Sequence, residues 1–274
     1  MEGATHMKKE KTFSKEHLLY IKQVKRESFL VWIMRFSILF FLIGAWELMA
    51  QLGTIDTFIT SSPSKIFNTI STLWVENNLF HHICITLYET TLGFLIAVVL
   101  GYVISLMLWW SERLRRILEP YIVVLNSLPK IALGPIIIVW CGSGSKAIVF
   151  MAVLIGIIVA IITMLNGFLA TDKDKILLLK AMGANKFQIL YKLVVPGSLP
   201  TLISMLKISV GMAWVGSIMG EYLVSRAGLG YLIVYGGQVF KLDLVMASTV
   251  VLCILASIMY ALVALLERFV IKYK

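Results

Sequence analysis

Apolar residues along this chain do not alternate with polar ones. They run in blocks of roughly 20, the length a helix needs to cross the hydrocarbon core of a bilayer. Six blocks stand out, at about residues 29–50, 83–110, 121–141, 145–168, 201–224 and 244–266. The second is long enough to tilt or to begin along the interface. Between the first two, residues 52–82 are mixed. There Ser62-Pro63 reads as a helix start, with Ile66, Ile70, Leu73 and Trp74 following at helical spacing. That pattern predicts an amphipathic helix lying along the outer surface. Ahead of the first block, residues 14–26 set Leu18, Leu19, Ile21 and Val24 among lysines. This is the pattern of an interfacial helix anchoring the first span, or of a regulatory, lipid-sensing arm.

Composition turns these blocks into a class. Of 274 residues 59% are hydrophobic and 15% charged, with a mean hydropathy of +0.89. Soluble domains carry about a quarter charged residues, so an ordinary cytosolic enzyme, a disordered chain and a small disulfide-stapled domain are all excluded. The expected fold is an all-α membrane protein with six transmembrane helices.

The net charge of +10 then reads as topology and contact with anionic lipid rather than as nucleic-acid binding. Eighteen of the 25 Lys and Arg residues fall in segments 8–26, 111–120, 171–192 and the C-terminus, against five (Lys65, Lys130, Lys146, Arg226, Lys241) on the other side. Cytoplasmic segments are the richer in Lys and Arg. Both termini are therefore expected in the cytoplasm of a multi-pass membrane protein. Residues 1–6 read as a cloning remnant ahead of a native start at Met7, followed by a cytoplasmic arm 7–28 and a six-span domain 29–274, with no cleavable leader visible.

Chemistry is sparse. Cys84, Cys141 and Cys253 lie far apart in apolar runs, and His6, His17, His81 and His82 make no ligand set, so no metal is expected. The adjacent His81 and His82 point in different directions on a helix. No GxxxxGK[ST] loop is present. Trp140-Cys141-Gly142-Ser143-Gly144 lacks the strand-to-helix setting and the base of a serine nucleophile. No catalytic residue and no bound cofactor are expected, and the chain does not read as an enzyme.

The informative polar segment is residues 171–200, TDKDKILLLKAMGANKFQILYKLVVPGSLP. Asp172 is placed to cap a helix through Ile176 to Met182, Gly183 to break it, and Phe187, Ile189 and Leu190 to mark a second short amphipathic helix. Pro196-Gly197 should end that helix before the next span. A helix–Gly–helix with exposed apolar side chains is either a docking knob for another protein or an interfacial element packed on its own spans.

Gly183-Ala184, Val195-Pro196 and Leu199-Pro200, at this spacing, resemble the cytoplasmic loop of binding-protein-dependent ABC importer permeases. Further matches over about residues 60 to 270 resemble the sulfonate/nitrate/taurine branch of that family. They are Ser62-Pro63-Ser64, Thr86-Leu87 with Gly93-Phe94, Glu119-Pro120, Ser127-Leu128-Pro129 with Pro135, Trp140 with Gly142, Ser145-Lys146, Gly211 with Ala213-Trp214, Gly220-Glu221 and Gly228-Leu229-Gly230. The resemblance implies a type I ABC importer permease fold and a coupling loop at about 171–200 that plugs into an ATPase subunit. It assigns coupling to Asp172, Leu177, Leu178, Lys180, Ala181, Gly183, Ala184 and Pro196. The implied partners are a second copy of the chain, two ATPase subunits holding the ATP and magnesium, and an extracytoplasmic solute-binding protein, all amid membrane lipid. The sequence departs from the pattern where the family has Glu-Ala-Ala and this chain has Leu177-Leu178-Leu179. It departs again at Glu89, a position often basic in taurine and sulfonate permeases. The implied solute is a small sulfonate-, taurine- or nitrate-like anion. Glu89 and Pro129-Lys130 lean toward relatives handling neutral vitamin precursors such as thiamine-precursor pyrimidines or riboflavin. A membrane scaffold or sensor that transports nothing is the alternative from another class.

Within the spans, charged residues mark interior-facing or snorkelling positions. Arg35 and Lys207 sit near the cytoplasmic side, Glu47, Glu89 and Glu221 toward the outer half. Glu221 follows Gly216 and Gly220, whose spacing lets helices approach closely. The resemblance, which implies that the fifth span lines the pathway near a dimer axis, places Trp214 and these residues at the pathway, Glu221 being either part of an outer gate or a paired carboxylate at a helix end. Asn126, Pro129 and Pro135 share the third span, where two prolines force a kink or a break. A broken helix is tolerated only when buried in protein or lining a watery cavity, which makes Asn126 and Pro129 further pathway candidates.

Overall fold

The structure is a computed structural model that describes residues 15–76 and 79–270. The expected remnant, and residues 7–14 of the arm, lie outside the described residues. The chain forms two compact units that divide between Ser64 and Lys65, inside the 29–274 stretch expected to be one domain.

In the first unit, α1 (Lys15–Gln51) is one continuous helix. The expected boundary at residue 28 is thus a change of chemistry and not of backbone, because no Gly or Pro interrupts residues 15–43. Its apolar residues from Phe29 to Ile43 are exposed, as suits a surface bathed in lipid. The four-residue α2 (Thr57–Thr60) is capped by Asp56, whose Oδ1 accepts the Phe58 N–H at 2.8 Å. Glu47 ends up fully used: it accepts from the Ser64 N–H (3.0 Å), the Ser64 hydroxyl (2.9 Å) and the Gln51 amide (2.9 Å).

From Pro63 the chain forms α3 (Pro63–Glu76), as the Ser-Pro start predicts. Ile66 and Leu73 are buried, but Trp74 is 60% exposed. Eight residues on from Ile66, Trp74 has rotated about 80° off the stripe, and its ring sits edge-on to Phe80 at 6.4 Å.

The second unit continues with α4 (Leu79–Trp110), α5 (Glu112–Ser127), a 3₁₀ turn (Lys130–Leu133) and α6 (Gly134–Cys141). The expected third span is not one rod from residue 121. Its helix starts at Glu112, stops at Ser127, and resumes after Leu128-Pro129 at 85° to its first half. Proline pushes the preceding residue out of helical conformation, and Leu128 is extended at φ −62, ψ 133. Counting the bent pair as one span with the five continuous apolar helices gives six among the described residues.

Next come α7 (Ser145–Leu169), the short α8 (Lys173–Ala181), α9 (Lys186–Ile189) and α10 (Val195–Gly197), then α11 (Leu199–Val224), α12 (Leu229–Gln238) and α13 (Leu242–Val270). The sequence pattern gave no helix between the fifth and sixth spans. Three glycines (Gly230, Gly236, Gly237) dilute the helical signal of α12. The central helix is α7, packed against both α4 and α11. Lipid is as apolar as leucine, so close contact of small residues drives helix association here. A Cβ added at Gly93 would lie 2.5 Å from the Ala152 Cβ, and one at Gly216 would lie 2.5 Å from the Ala152 Cα.

Lys207 of α11 does not stand alone: its Nζ donates to Glu267 Oε2 of α13 at 2.6 Å. An unpaired charge at membrane depth is costly. Glu267→Ala is therefore expected to lower the melting temperature in detergent more than the double variant with Lys207→Ala, read by thermal unfolding of the tagged protein. Equal melting of the two variants would contradict the pairing.

Candidate functional site

The segment 171–200 folds as its capping residues dictate. Asp172 Oδ1 accepts the Asp174 N–H at 2.9 Å and starts α8. Gly183, at φ +82, closes that helix in the left-handed region, and the Gly183 and Ala184 N–H groups bond back to Lys180 and Leu179 carbonyls, both at 2.9 Å. Asn185 and Gln188 then form a reciprocal capping box, Gln188 N–H to Asn185 Oδ1 at 2.8 Å and Asn185 N–H to Gln188 Oε1 at 2.9 Å. The helix widens into one π turn, Leu190–Val194, in which the Val195 N–H reaches the Leu190 carbonyl. Pro196-Gly197 ends this helix ahead of the span, as expected: α10 stops at Gly197 and α11 begins after Ser198 alone.

This segment has two faces. Inward, Ile176, Leu179, Ala184 and Leu190 pack on a buried cluster of Ala160, Met164, Phe168, Ile189, Val194 and Met205, which joins the loop to α7 and α11. Outward, Leu177, Leu178, Met182, Phe187 and Tyr191 are each at least 60% exposed, with Lys180, Ala181 and Pro196 exposed among them. Five large apolar side chains on a connection that carries several lysines form a surface that water disfavours and a protein partner would cover. The loop is also pinned to the end of α4: Lys186 Nζ donates to the Trp110 carbonyl and lies 5.3 Å and 5.9 Å from the Trp110 and Trp109 ring centres. Nothing in the sequence pattern relates these residues.

At the opposite end of α4 the chain builds a polar knot. The Gly228 N–H donates to His82 Nδ1 (2.9 Å), the Leu229 N–H to the Thr86 hydroxyl (2.8 Å) and the Gly230 N–H to Glu221 Oε2 (2.6 Å). His82 and Thr86 are one helical turn apart, so both meet the same connection. His82 also stacks on Tyr231, ring centres 6.2 Å apart. The backbone at Gly228, φ +118, is open to glycine, and a Cβ there would lie 2.4 Å from Glu221 Oε2. Glu221 and Glu89 are both buried and their carboxyls lie against each other, with Ser145 beside Glu89 and Thr86 beside Glu221. Nearby, Thr90 and Ser217 hydroxyls share a hydrogen bond of 2.6 Å. The sequence marks both acids as costly within spans, but not that they meet. His81 and His82 have ring centres 6.0 Å apart, and His82 spends its Nδ1 on the Gly228 backbone. No cluster able to hold a metal occurs among the described residues.

The remaining pathway candidates are divided. Asn126 is exposed on α5, its carbonyl accepting from Lys130 Nζ at 3.1 Å, and Pro129 is exposed at the bend. Trp214 is buried with Phe94, Val210, Ala213 and Val263. Gly216 and Gly220 face Ala152 and Ile148 of α7, so they set the spacing of two helices within one chain.

Comparison with known proteins gives the same picture. Residues 91–272 match the profile of the binding-protein-dependent transport system inner membrane component family. The chain is 26% identical over 233 residues to the putative aliphatic sulfonates transport permease protein SsuC of Bacillus subtilis, covering 85% of this chain and 84% of that one. It is 30% identical over 229 residues to the formylaminopyrimidine transport permease protein ThiX of Halalkalibacterium halodurans, covering 84% and 91%. Its fold matches a chain of the inward-facing MetNI methionine ABC transporter with a TM-score of 0.64 at 22% identity, covering 73% of this chain and 98% of that one.

Proposed function

Because the chain belongs to the family of binding-protein-dependent transport system inner membrane components, we propose that it is the permease subunit of an ABC importer. In this reading two copies enclose the pathway, and a separate ATPase on each copy hydrolyses ATP. An extracytoplasmic binding protein delivers a small sulfonate-like solute. The observation that carries the reading is the two-faced loop 171–200. Its inner face is fixed in the core beside α7 and α11, and its outer face leaves Leu177, Leu178, Met182, Phe187 and Tyr191 uncovered. An ATPase docking there would push directly on the two helices that carry the loop's core contacts. Leu177 and Leu178, the two exposed residues of the Leu177-Leu178-Leu179 run, make this contact more apolar than the family pattern.

The aminopyrimidine class is the second reading for the solute. It is favoured by the burial of Glu89 and Glu221 beside each other, since buried carboxylates repel an anion.

The geometry supports one orientation. Lys186 against Trp110 brings the connections at 111 and 182–198 to one end of the second unit, while Gly228 on His82 brings the 225–241 connection to the other. With the Lys and Arg excess, the first end is cytoplasmic. In a background lacking Cys84, Cys141 and Cys253, cysteines at Ser111 and Asn185 should react with an impermeant maleimide only from the cytoplasmic side. A cysteine at Lys241 should react only from outside. Labelling of Asn185→Cys from outside would reverse the orientation.

A further inference from the structure

The loop 171–200 reaches beyond the two helices that carry its buried face. Lys186 stands at the start of α9, its Nζ on the Trp110 carbonyl and over the Trp109 and Trp110 rings. Trp110 is the last residue of α4. A cation is favoured at a helix C-terminus, where carbonyls lack intrahelical partners, and here the loop supplies it. Lys186 makes no ion pair among the described residues, and Glu112, which opens α5, pairs with Arg116 at 2.6 Å. Trp109 makes this corner a junction. It packs on the cluster beneath the loop, with Met164, Phe168 and Ile189, and also on the cluster of Leu108, Ile161 and Leu165. Leu118 and Ile122 of α5 pack on that second cluster. α5 is the first half of the bent span and has no buried residue. Nor does it contain a glycine, so it lacks the close seams that join α4 and α11 to α7, such as Gly101, where a Cβ would lie 2.6 Å from the Ala160 Cβ. The helix least held by the core is thus attached beside the ring that Lys186 covers.

We propose that Lys186, seated on Trp109 and Trp110, is a positioning residue that passes the loop's movement to α5, so that closure of the ATPase re-aims the bent span while α4, α7 and α11 stay packed as one block. The proposal rests on the permease reading and deepens it by naming the part that moves. Lys186 then differs in role from Leu177, Leu178 and Met182 on the same loop: they meet the ATPase, and it grips the end of α4.

The test uses the full permease–ATPase complex in lipid nanodiscs, in the background lacking Cys84, Cys141 and Cys253. Val123→Cys, at a position 59% exposed on α5, carries an environment-sensitive bimane label. Its emission is compared with ADP and with a non-hydrolysable ATP analogue, so no solute is needed. With Lys186 in place the label should shift on binding the analogue. Lys186→Met, which keeps the length and loses the charge, should cut the fraction that shifts by about 3- to 10-fold, the weight of a cation–π contact and a hydrogen bond at an exposed site. It should keep the ATPase through purification. Lys186→Arg keeps a cation that stacks on indole and should retain most of the shift, which a loss of mere bulk would not explain. No shift with Lys186 in place and the ATPase bound overturns the joint and leaves the permease reading standing; this result depends on no Lys186 variant folding. A full shift in Lys186→Met overturns it too, as does an arginine variant as inert as the methionine one. Loss of the ATPase in Lys186→Met places Lys186 in the docking surface and overturns the separate role. An ATPase that never associates, even with Lys186 in place, removes the permease reading and the joint with it.

Discussion

Gly183→Glu is expected to abolish solute uptake and to lose the ATPase on purification, while the spans still insert. The residue sits at φ +82 with no atom within 4 Å of where a Cβ would stand, so the effect is not a clash. A non-glycine residue held in the left-handed region costs about 1–2 kcal/mol, which is roughly a 5- to 30-fold loss of the correctly turned loop. The carboxylate adds a charge beside Met182, 74% exposed, on the face proposed to enter the ATPase. Gly183→Asn separates the two effects, because asparagine tolerates the left-handed region and brings no charge. It should retain most of the coupling. Wild-type ATPase recovery and uptake in the Glu variant would contradict the docking role.

Gly216→Leu should have the larger effect on stability. Even a Cβ would sit 2.5 Å from the Ala152 Cα and 3.0 Å from its nitrogen, and backbone cannot swing aside as a side chain can. The two helices must separate, and the cost is about 3 kcal/mol or more. The variant should give little monodisperse protein after extraction, measured by size-exclusion chromatography. Gly211→Ala is the control. Gly211 lies on the same helix with nothing within 4 Å of its added Cβ, so alanine should be neutral or stabilise by up to about 1 kcal/mol.

Much of this architecture is readable from residue order alone, because a bilayer imposes a length on apolar runs that few other environments do. The prolines at 129 and 135 marked the third span for disruption, and Asp172 and Gly183 marked both ends of α8. The early start of α5 was hidden by Glu112, Arg113, Arg115 and Arg116, whose charges read as a connection although they serve one helical turn, Arg116 pairing with Glu112 at 2.6 Å. What no local pattern conveys is which distant ends meet. Lys186 lies 76 residues from Trp110, and Gly228 lies 146 from His82. Glu89 and Glu221 stand on different helices, so their convergence follows only from packing α4 and α11 on α7. Trp74 shows the limit even at short range, since a period-based stripe included a residue that had already rotated to the exposed side.

The most direct test of the central claim is uptake into proteoliposomes containing the chain, its ATPase and its binding protein, with ATP enclosed on the ATPase side. The account expects solute to accumulate above its outside concentration with enclosed ATP and not with enclosed ADP, and Gly183→Glu to remove the difference. Accumulation that is equal with ATP and ADP, or that persists when the ATPase is left out, would contradict it.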